Sequence, residues 1–375
     1  MRVFYLCYNT VMKYVFILGH NPKLSVAEVL AVLPDAKAVE QSSSFLIVET
    51  KEFDPKKLMD KMGGSIKIAE VISEKIDKKL IVETLRQVQT DSKLNFGISY
   101  YECKSDKLGM EVKGELKKAG ISCRLVVGKD KALSSVIVQK NKVHEFLIIA
   151  GRYLAQTKAV QDFEAYGKRD FARPERDMVS GSMPPKLAQI MINLSQVKMT
   201  EKLHDPFCGS GTILQEALVM GYKKVSGSDK SERAVSDTRK NLAWLSRHFE
   251  IPEIEVSQVD VRELSASVKD INVIVTEPYL GPPLRGGESR EQILKNVDEL
   301  EDLYVKAFEQ FSKVLNKNGR VVIVFPTFRV GKEVLKLRIM DQIEDLGFIQ
   351  TSKDDLFFSR PDQKVYRDIR VFAKN

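Results

Sequence analysis

Asp205-Pro206-Phe207-Cys208-Gly209-Ser210-Gly211-Thr212 is the stretch of this chain best equipped for ligand chemistry. It stands between a short strand at 202–204 and an apolar helix at 213–221, so a strand, a glycine loop and a helix are predicted. Without a Cβ at Gly209 and Gly211, a ligand can lie against the main chain. Asp205 ends the strand, where open α/β sheets hold their ligands. A dinucleotide fingerprint needs a third glycine where Leu214 stands, and no Lys-Ser/Thr pair follows to cradle phosphates. An acidic two-glycine loop without phosphate chemistry points to S-adenosylmethionine, whose amino group needs a carboxylate. Two later acids are placed alike. Asp229 ends the strand at 224–229, where a carboxylate can take both hydroxyls of a ribose. Asp260 ends the strand at 253–260, where an acid can accept the adenine amino group. The expected cofactor set is Asp205, Phe207, Gly209, Gly211, Thr212, Asp229, Asp260 and Val261.

A fourth strand, 271–277, delivers Thr276-Glu277-Pro278-Tyr279-Leu280-Gly281-Pro282-Pro283. This stretch resembles the motif of amino-group methyltransferases, an Asp or Asn followed by two prolines and an aromatic residue. An exocyclic amine on a base is a poor nucleophile because its lone pair is delocalised into the ring. A carboxylate and a proline carbonyl can accept its hydrogens and turn the lone pair outward. An aromatic ring stacks on the base and fixes its plane. Glu277, Pro278 and Tyr279 are the expected catalytic residues. The chain departs from the pattern twice: Glu replaces Asp or Asn, and Tyr279 takes the second proline's place. Two other readings of Glu277 stay open, an ion pair with Arg285 or Arg290 and the decay of a silent enzyme.

The elements that must position these residues alternate regularly. From 184 on, strands and helices predict a parallel α/β sheet, including a helix at 299–315 and another at 332–346. Strands at 348–360 and 364–374 are joined too closely for a crossover helix and should form an antiparallel hairpin, with a polar turn at 359–363. Residues 12–75 read strand, helix, strand, strand, helix, strand, the order of a ferredoxin-like module. A second α/β block fills 76–161, with strands at 121–127 and 134–140. A charged, proline-bearing linker follows at 162–183.

Charge divides the chain in the same way. Residues 51–200 carry 28 Lys/Arg against 19 Asp/Glu, whereas 201–375 carry 27 against 28. A basic module joined to a neutral one suggests a polyanion held by the first and modified by the second. The four cysteines lie far apart without metal-ligand spacing, so no metal is expected and reduced thiols in a cytoplasm are. No apolar run approaches the ~20 residues of a membrane span, and Tyr14–Leu18 is too short for a signal segment.

Beyond the motifs, 120–124, 133–136, 141–142 and 157–162 look like a THUMP domain. Arg169–Pro174, Met183–Ala188 and Asn193-Leu194 are similar to the segment entering the catalytic domain of THUMP-containing tRNA guanine-N2 methyltransferases. The resemblance implies a class I (Rossmann-like) methyltransferase domain at 184–375, preceded by ferredoxin-like (1–75) and THUMP (76–161) modules. It further implies transfer to guanine N2 at position 10 of tRNA, and admits a small activating protein subunit. By the same resemblance Arg124, Lys142, Lys158, Arg169 and Arg173 are expected to bind RNA, with Arg169 and Arg173 near a cofactor lid. A DNA amino-methyltransferase acting on adenine N6 or cytosine N4, and a catalytically silent tRNA-binding protein, are the alternatives.

Overall fold

A computed structural model describes residues 11–375 apart from 91, 177–182, 285–286, 332, 353–354 and 360–363. The chain divides into two compact units, one of residues up to 22 and 33–164, the other of 23–32 and 165–375.

The first unit contains β1 (Val11–Leu18), then, beyond the helix α1 (Pro22–Val32), β2 (Lys37–Gln41), β3 (Phe45–Lys51), α2 (Pro55–Met59) and β4 (Ser65–Ser73). It continues through α3 (Lys78–Arg86), β5 (Leu94–Tyr101), α4 (Leu108–Lys118), β6 (Cys123–Leu125), α5 (Ser135–Lys140), β7 (His144–Ile149) and β8 (Tyr153–Val160). All eight strands form one sheet in the order β2-β3-β1-β4-β8-β7-β5-β6. The segments expected as ferredoxin-like and THUMP modules therefore meet edge to edge where β4 pairs antiparallel with β8. A buried ion pair stitches this seam. Lys67 on β4 donates to Glu145 on β7 at 2.5 Å and to the Leu133 carbonyl at 2.7 Å. Ser99 on β5 and Thr157 on β8 donate to the same carboxylate. Every charge so buried is matched by hydrogen bonds, the condition under which a desolvated pair is tolerated. Residues 135–140 form a helix rather than the expected strand, because the Ser134 hydroxyl caps it by accepting from Ile137 N–H.

The second unit holds residues 23–32 of α1 and then residues 165–171 of α6 (Phe163–Phe171), a helix that occupies much of the expected linker. Next come α7 (Pro185–Ser195), β9 (Leu203–Asp205), α8 (Thr212–Val219), β10 (Val225–Asp229), α9 (Glu232–Leu245) and β11 (Glu255–Gln258). The remainder is α10 (Leu264–Ser267), β12 (Ile271–Thr276), α11 (Arg290–Val314), β13 (Leu315–Val330), β14 (Glu333–Lys336), α12 (Met340–Asp345), β15 (Phe348–Gln350), β16 (Leu356–Phe358) and β17 (Val365–Lys374). The sheet runs β11-β10-β9-β12-β13-β17-β15, parallel from β11 to β13, with β17 antiparallel to both β13 and β15. Val321, Ile323 and Phe325 of β13 face the core under α11, while Val322 and Val324 face the core under α7 and α8. A strand buried on both faces reads as a continuous apolar run. Helix α11 starts earlier than expected because Ser289 and Gln292 form a capping box. The helix expected at 332–346 is instead β14, paired with β13, followed by the short α12.

Candidate active site

Strand order reverses between β9 and β12, and the crevice at their carboxyl ends is where such sheets bind ligands. A cleft of about 770 Å³ opens there, lined by the predicted Asp205, Phe207, Gly209, Thr212, Asp229, Asp260, Val261, Glu277, Pro278 and Tyr279.

Asp205 is 1% exposed. Its Oδ1 accepts from the Thr276 hydroxyl at 2.6 Å and from Phe207 N–H at 3.2 Å. Burial pushes its carboxyl up to about 7, against the pull of those two hydrogen bonds. Gly209 and Gly211 both adopt positive φ, +53° and +83°. At Gly211 a Cβ would also stand 2.9 Å from Thr238 of α9, so that glycine is held by packing and does not line the cleft. At Gly209 the space is open. Helix α9 fixes the loop, Thr238 donating to the Gly209 carbonyl at 2.8 Å and Asn241 to the Ser210 carbonyl at 2.8 Å. Asp229 accepts from Gly209 N–H at 3.0 Å and from Ser231 N–H at 2.9 Å. Asp260 is engaged more heavily than its sequence suggested. Arg262 grips both its oxygens, at 3.0 and 2.5 Å, and these hydrogen bonds hold its carboxyl down at about 2. Only its remaining lone pairs can meet an adenine.

A buried carboxylate with no cation beside it among the described residues, an open glycine main chain, an acid ending β10 and another just beyond β11 fit a ligand carrying an ammonium group, a ribose and a base. The residues present therefore fit S-adenosylmethionine.

On the other side of the cleft, Thr276 ends β12 and ties it to Asp205, and Glu277 follows immediately. Both Glu277 oxygens accept from Arg367 of β17, Oε1 from Nε and Oε2 from Nη2 at 3.3 Å. The ion pair contemplated from sequence thus exists with a different partner. Arg290 instead pairs with Glu333, and Arg285 lies outside the described residues. Pro278 is buried, whereas Tyr279 is 51% exposed at the cleft, as a stacking surface must be.

Two RNA-binding expectations are corrected. Arg169 is 5% exposed and spends its Nε and Nη2 on Glu216 of α8, at 2.7 and 3.1 Å. Arg173 is buried as well, donating from Nη1 to Thr212 at 2.5 Å. Neither guanidinium has a surface to offer a phosphate; both brace the helix that follows the glycine loop. In the first unit Arg124 and Lys142 are exposed, and Lys158 is paired with Glu70 at 3.1 Å. The polar turn at 359–363 lies almost entirely outside the described residues. Sequence reasoning missed Arg367, Arg262 and the Thr276 anchor. Of these, only Thr276, next to the motif, carried a local signal. Among the described residues no cluster of His, Cys, Asp or Glu is placed to hold a metal, and no helix is long and apolar enough to cross a membrane.

Sheet order, glycine loop and strand-end acids together define a class I methyltransferase, whose methyl donor is S-adenosylmethionine. The model of a family described as UPF0020, RMKL-like, methyltransferase domain, matches residues 173–349. A tRNA (guanine(10)-N2)-dimethyltransferase of Methanothermobacter thermautotrophicus is 42% identical over 129 residues, 34% of this chain and 35% of that protein. That match spans about a third of the relative's length. A probable tRNA (guanine(10)-N2)-dimethyltransferase of Methanothermococcus thermolithotrophicus is 31% identical over 166 residues, 42% of this chain and 88% of that protein. The crystal structure of TrmN from Thermus thermophilus is similar in fold, at 16% identity and a TM-score of 0.54, over 98% of this chain and 100% of that one. The chain belongs to the methyltransferase family that includes the proteins named tRNA (guanine(10)-N2)-dimethyltransferase.

Proposed function

We propose that this chain methylates the N2 amine of a guanine in tRNA, at position 10, using S-adenosylmethionine. One observation carries the reading: a single cleft holds both the Asp205 glycine loop and Glu277-Pro278-Tyr279. The names of the relatives supply the nucleoside and its position.

Asp205, Asp229 and the loop from Phe207 to Thr212 hold the donor, with Asp260 and Val261 beside its adenine. When bound, S-adenosylmethionine would supply a sulfonium methyl for an amine lone pair to attack, the C–S bond breaking and the neutral thioether leaving. Glu277 and the Pro278 carbonyl accept the hydrogens of the exocyclic amine, which aims its lone pair without a strong general base. Tyr279 stacks on the base. Extruding a base costs a few kcal/mol, and stacking on an aromatic ring returns about 1–3 kcal/mol of it. The first unit, with Arg124, Lys142 and Lys158, is the proposed grip on tRNA, and the cytoplasm is the proposed compartment.

The test is labelled methyl transfer by the full chain alone, with undermodified tRNA and duplex DNA in competition. Label in tRNA supports the reading and removes the need for an activating subunit. Preference for DNA adenine or cytosine would favour the amino-methyltransferase alternative.

A further inference from the structure

Arg367 is a cationic group on the substrate side of the cleft that the proposed reaction leaves unused. It stands on β17 in register with Pro326 of β13 and Phe358 of β16, and it lines the cleft with Glu277, to which its guanidinium is bonded. The residue is 8% exposed. Nε and Nη2 donate to Glu277. A guanidinium carries five N–H donors in a rigid fork; among the described residues, Nη1 makes no hydrogen bond. The cleft therefore presents a donor nitrogen and a carboxylate with lone pairs to spare, side by side and locked in one geometry.

That pattern has a complement among the bases. Guanine offers two adjacent donors, N1–H and N2–H, and then the acceptor O6. Adenine and cytosine place an unprotonated ring nitrogen next to their amine, so a carboxylate accepting from that amine meets a second lone pair. We propose that Glu277 and Arg367 read the guanine edge as a unit, Glu277 accepting from N1–H and N2–H while Arg367 Nη1 donates to O6. Arg367 is then a specificity-determining residue, and the extra methylene of Glu277 is what brings its carboxylate to Arg367. The inference rests on guanine N2 being the methyl acceptor.

The test compares full-length wild type and Arg367→Met on tRNA transcripts carrying guanosine or 2-aminopurine riboside at the methylated position. The analogue keeps the reacting amine and lacks both O6 and the N1 proton. Wild type should lose about 100-fold in kcat/KM on the analogue, because two matched contacts vanish. Arg367→Met should lose about 10–100-fold on guanosine and suffer a clearly smaller further penalty on the analogue. Its affinity for S-adenosylmethionine, read by calorimetry, should stay at the wild-type value. Arg367→Lys is the second variant, for use if the methionine variant does not fold. A single ammonium cannot hold both Glu277 oxygens and reach O6, so the preference for guanosine should fall likewise. Equal analogue penalties in wild type and variants would overturn the inference while leaving the functional reading intact. Failure of wild type to methylate any guanine would overturn that reading, and this inference with it.

Discussion

Two acid–base pairs, one in each unit, differ in a way that separates scaffold from site. In the first unit Lys67 and Glu145 are fully buried, and the carboxylate is saturated by Lys67, Ser99 and Thr157. In the second unit Glu277 and Arg367 meet at the rim of a cleft, and neither is saturated by the protein. A closed network has nothing left to offer a ligand and serves only to hold strands in register. An open one keeps donors and acceptors in a fixed geometry for something that arrives later. Asp205 completes the contrast: a buried acid with no cation beside it among the described residues, in the half of the cleft proposed for the positively charged donor.

Four changes would break or sharpen this contrast. Lys67→Met should act on stability alone. Removing one member of a buried pair costs about 3–5 kcal/mol, measurable by denaturing the full chain; a loss below about 1 kcal/mol would mean the first network is not structural. Glu277→Ala should do the reverse, lowering kcat about 10²–10³-fold while leaving the cofactor dissociation constant unchanged. Wild-type turnover in that variant would discard the role given to Glu277. Asp205→Asn should weaken S-adenosylmethionine binding about 10–100-fold, the value of a hydrogen bond to a charged group. Calorimetry reads this directly, and unchanged affinity would place the amino group elsewhere.

The smallest effect is one of pH. The carboxyl of Asp205 in the free protein titrates at about 7, and the donor's ammonium needs the ionised form. Binding at lower pH must first remove a proton, so affinity should fall about tenfold per unit below about pH 7 and level off above it. The same shift leaves the folded, free protein holding a proton that the unfolded chain has already released. Its contribution to stability is therefore complete below about pH 4 and lost as pH rises through about 7. A flat binding profile between pH 5.5 and 7.5, by calorimetry, would show that Asp205 is already ionised in the free protein.

The residues that line the half of the cleft proposed for the cofactor were legible together because they lie close in sequence or near strand ends. Asp205, Gly209 and Gly211 lie within seven residues, Asp229 ends β10, and Asp260 stands two residues beyond the end of β11. The sheet and its closing antiparallel strand followed from the same alternation. On the side proposed for the substrate, only Glu277-Pro278-Tyr279 stood out in the sequence, because the partner of Glu277 comes from a strand about ninety residues on, and nothing in the spacing announces it. Arg169 and Arg173 misled for a related reason. A basic residue in a charged segment reads as solvated, and only the fold reveals that Glu216 and Thr212 wait for them beneath the glycine loop. The strand expected at 134–140 failed on propensity: Val136-Ile137-Val138 favour a strand, yet the Ser134 cap begins a helix. At 332–346 the lengthening of β13 into a hairpin displaced an expected helix.

The central claim is that the amine steered by Glu277 is N2 of a tRNA guanine. The most direct measurement is to incubate the full chain with undermodified tRNA and isotopically labelled S-adenosylmethionine, digest the RNA, and identify the labelled nucleoside by mass spectrometry. N2-methylated guanosine, mapped to position 10, is the predicted product. Label in adenosine or cytidine, or none in any nucleoside while the donor still binds, would contradict it.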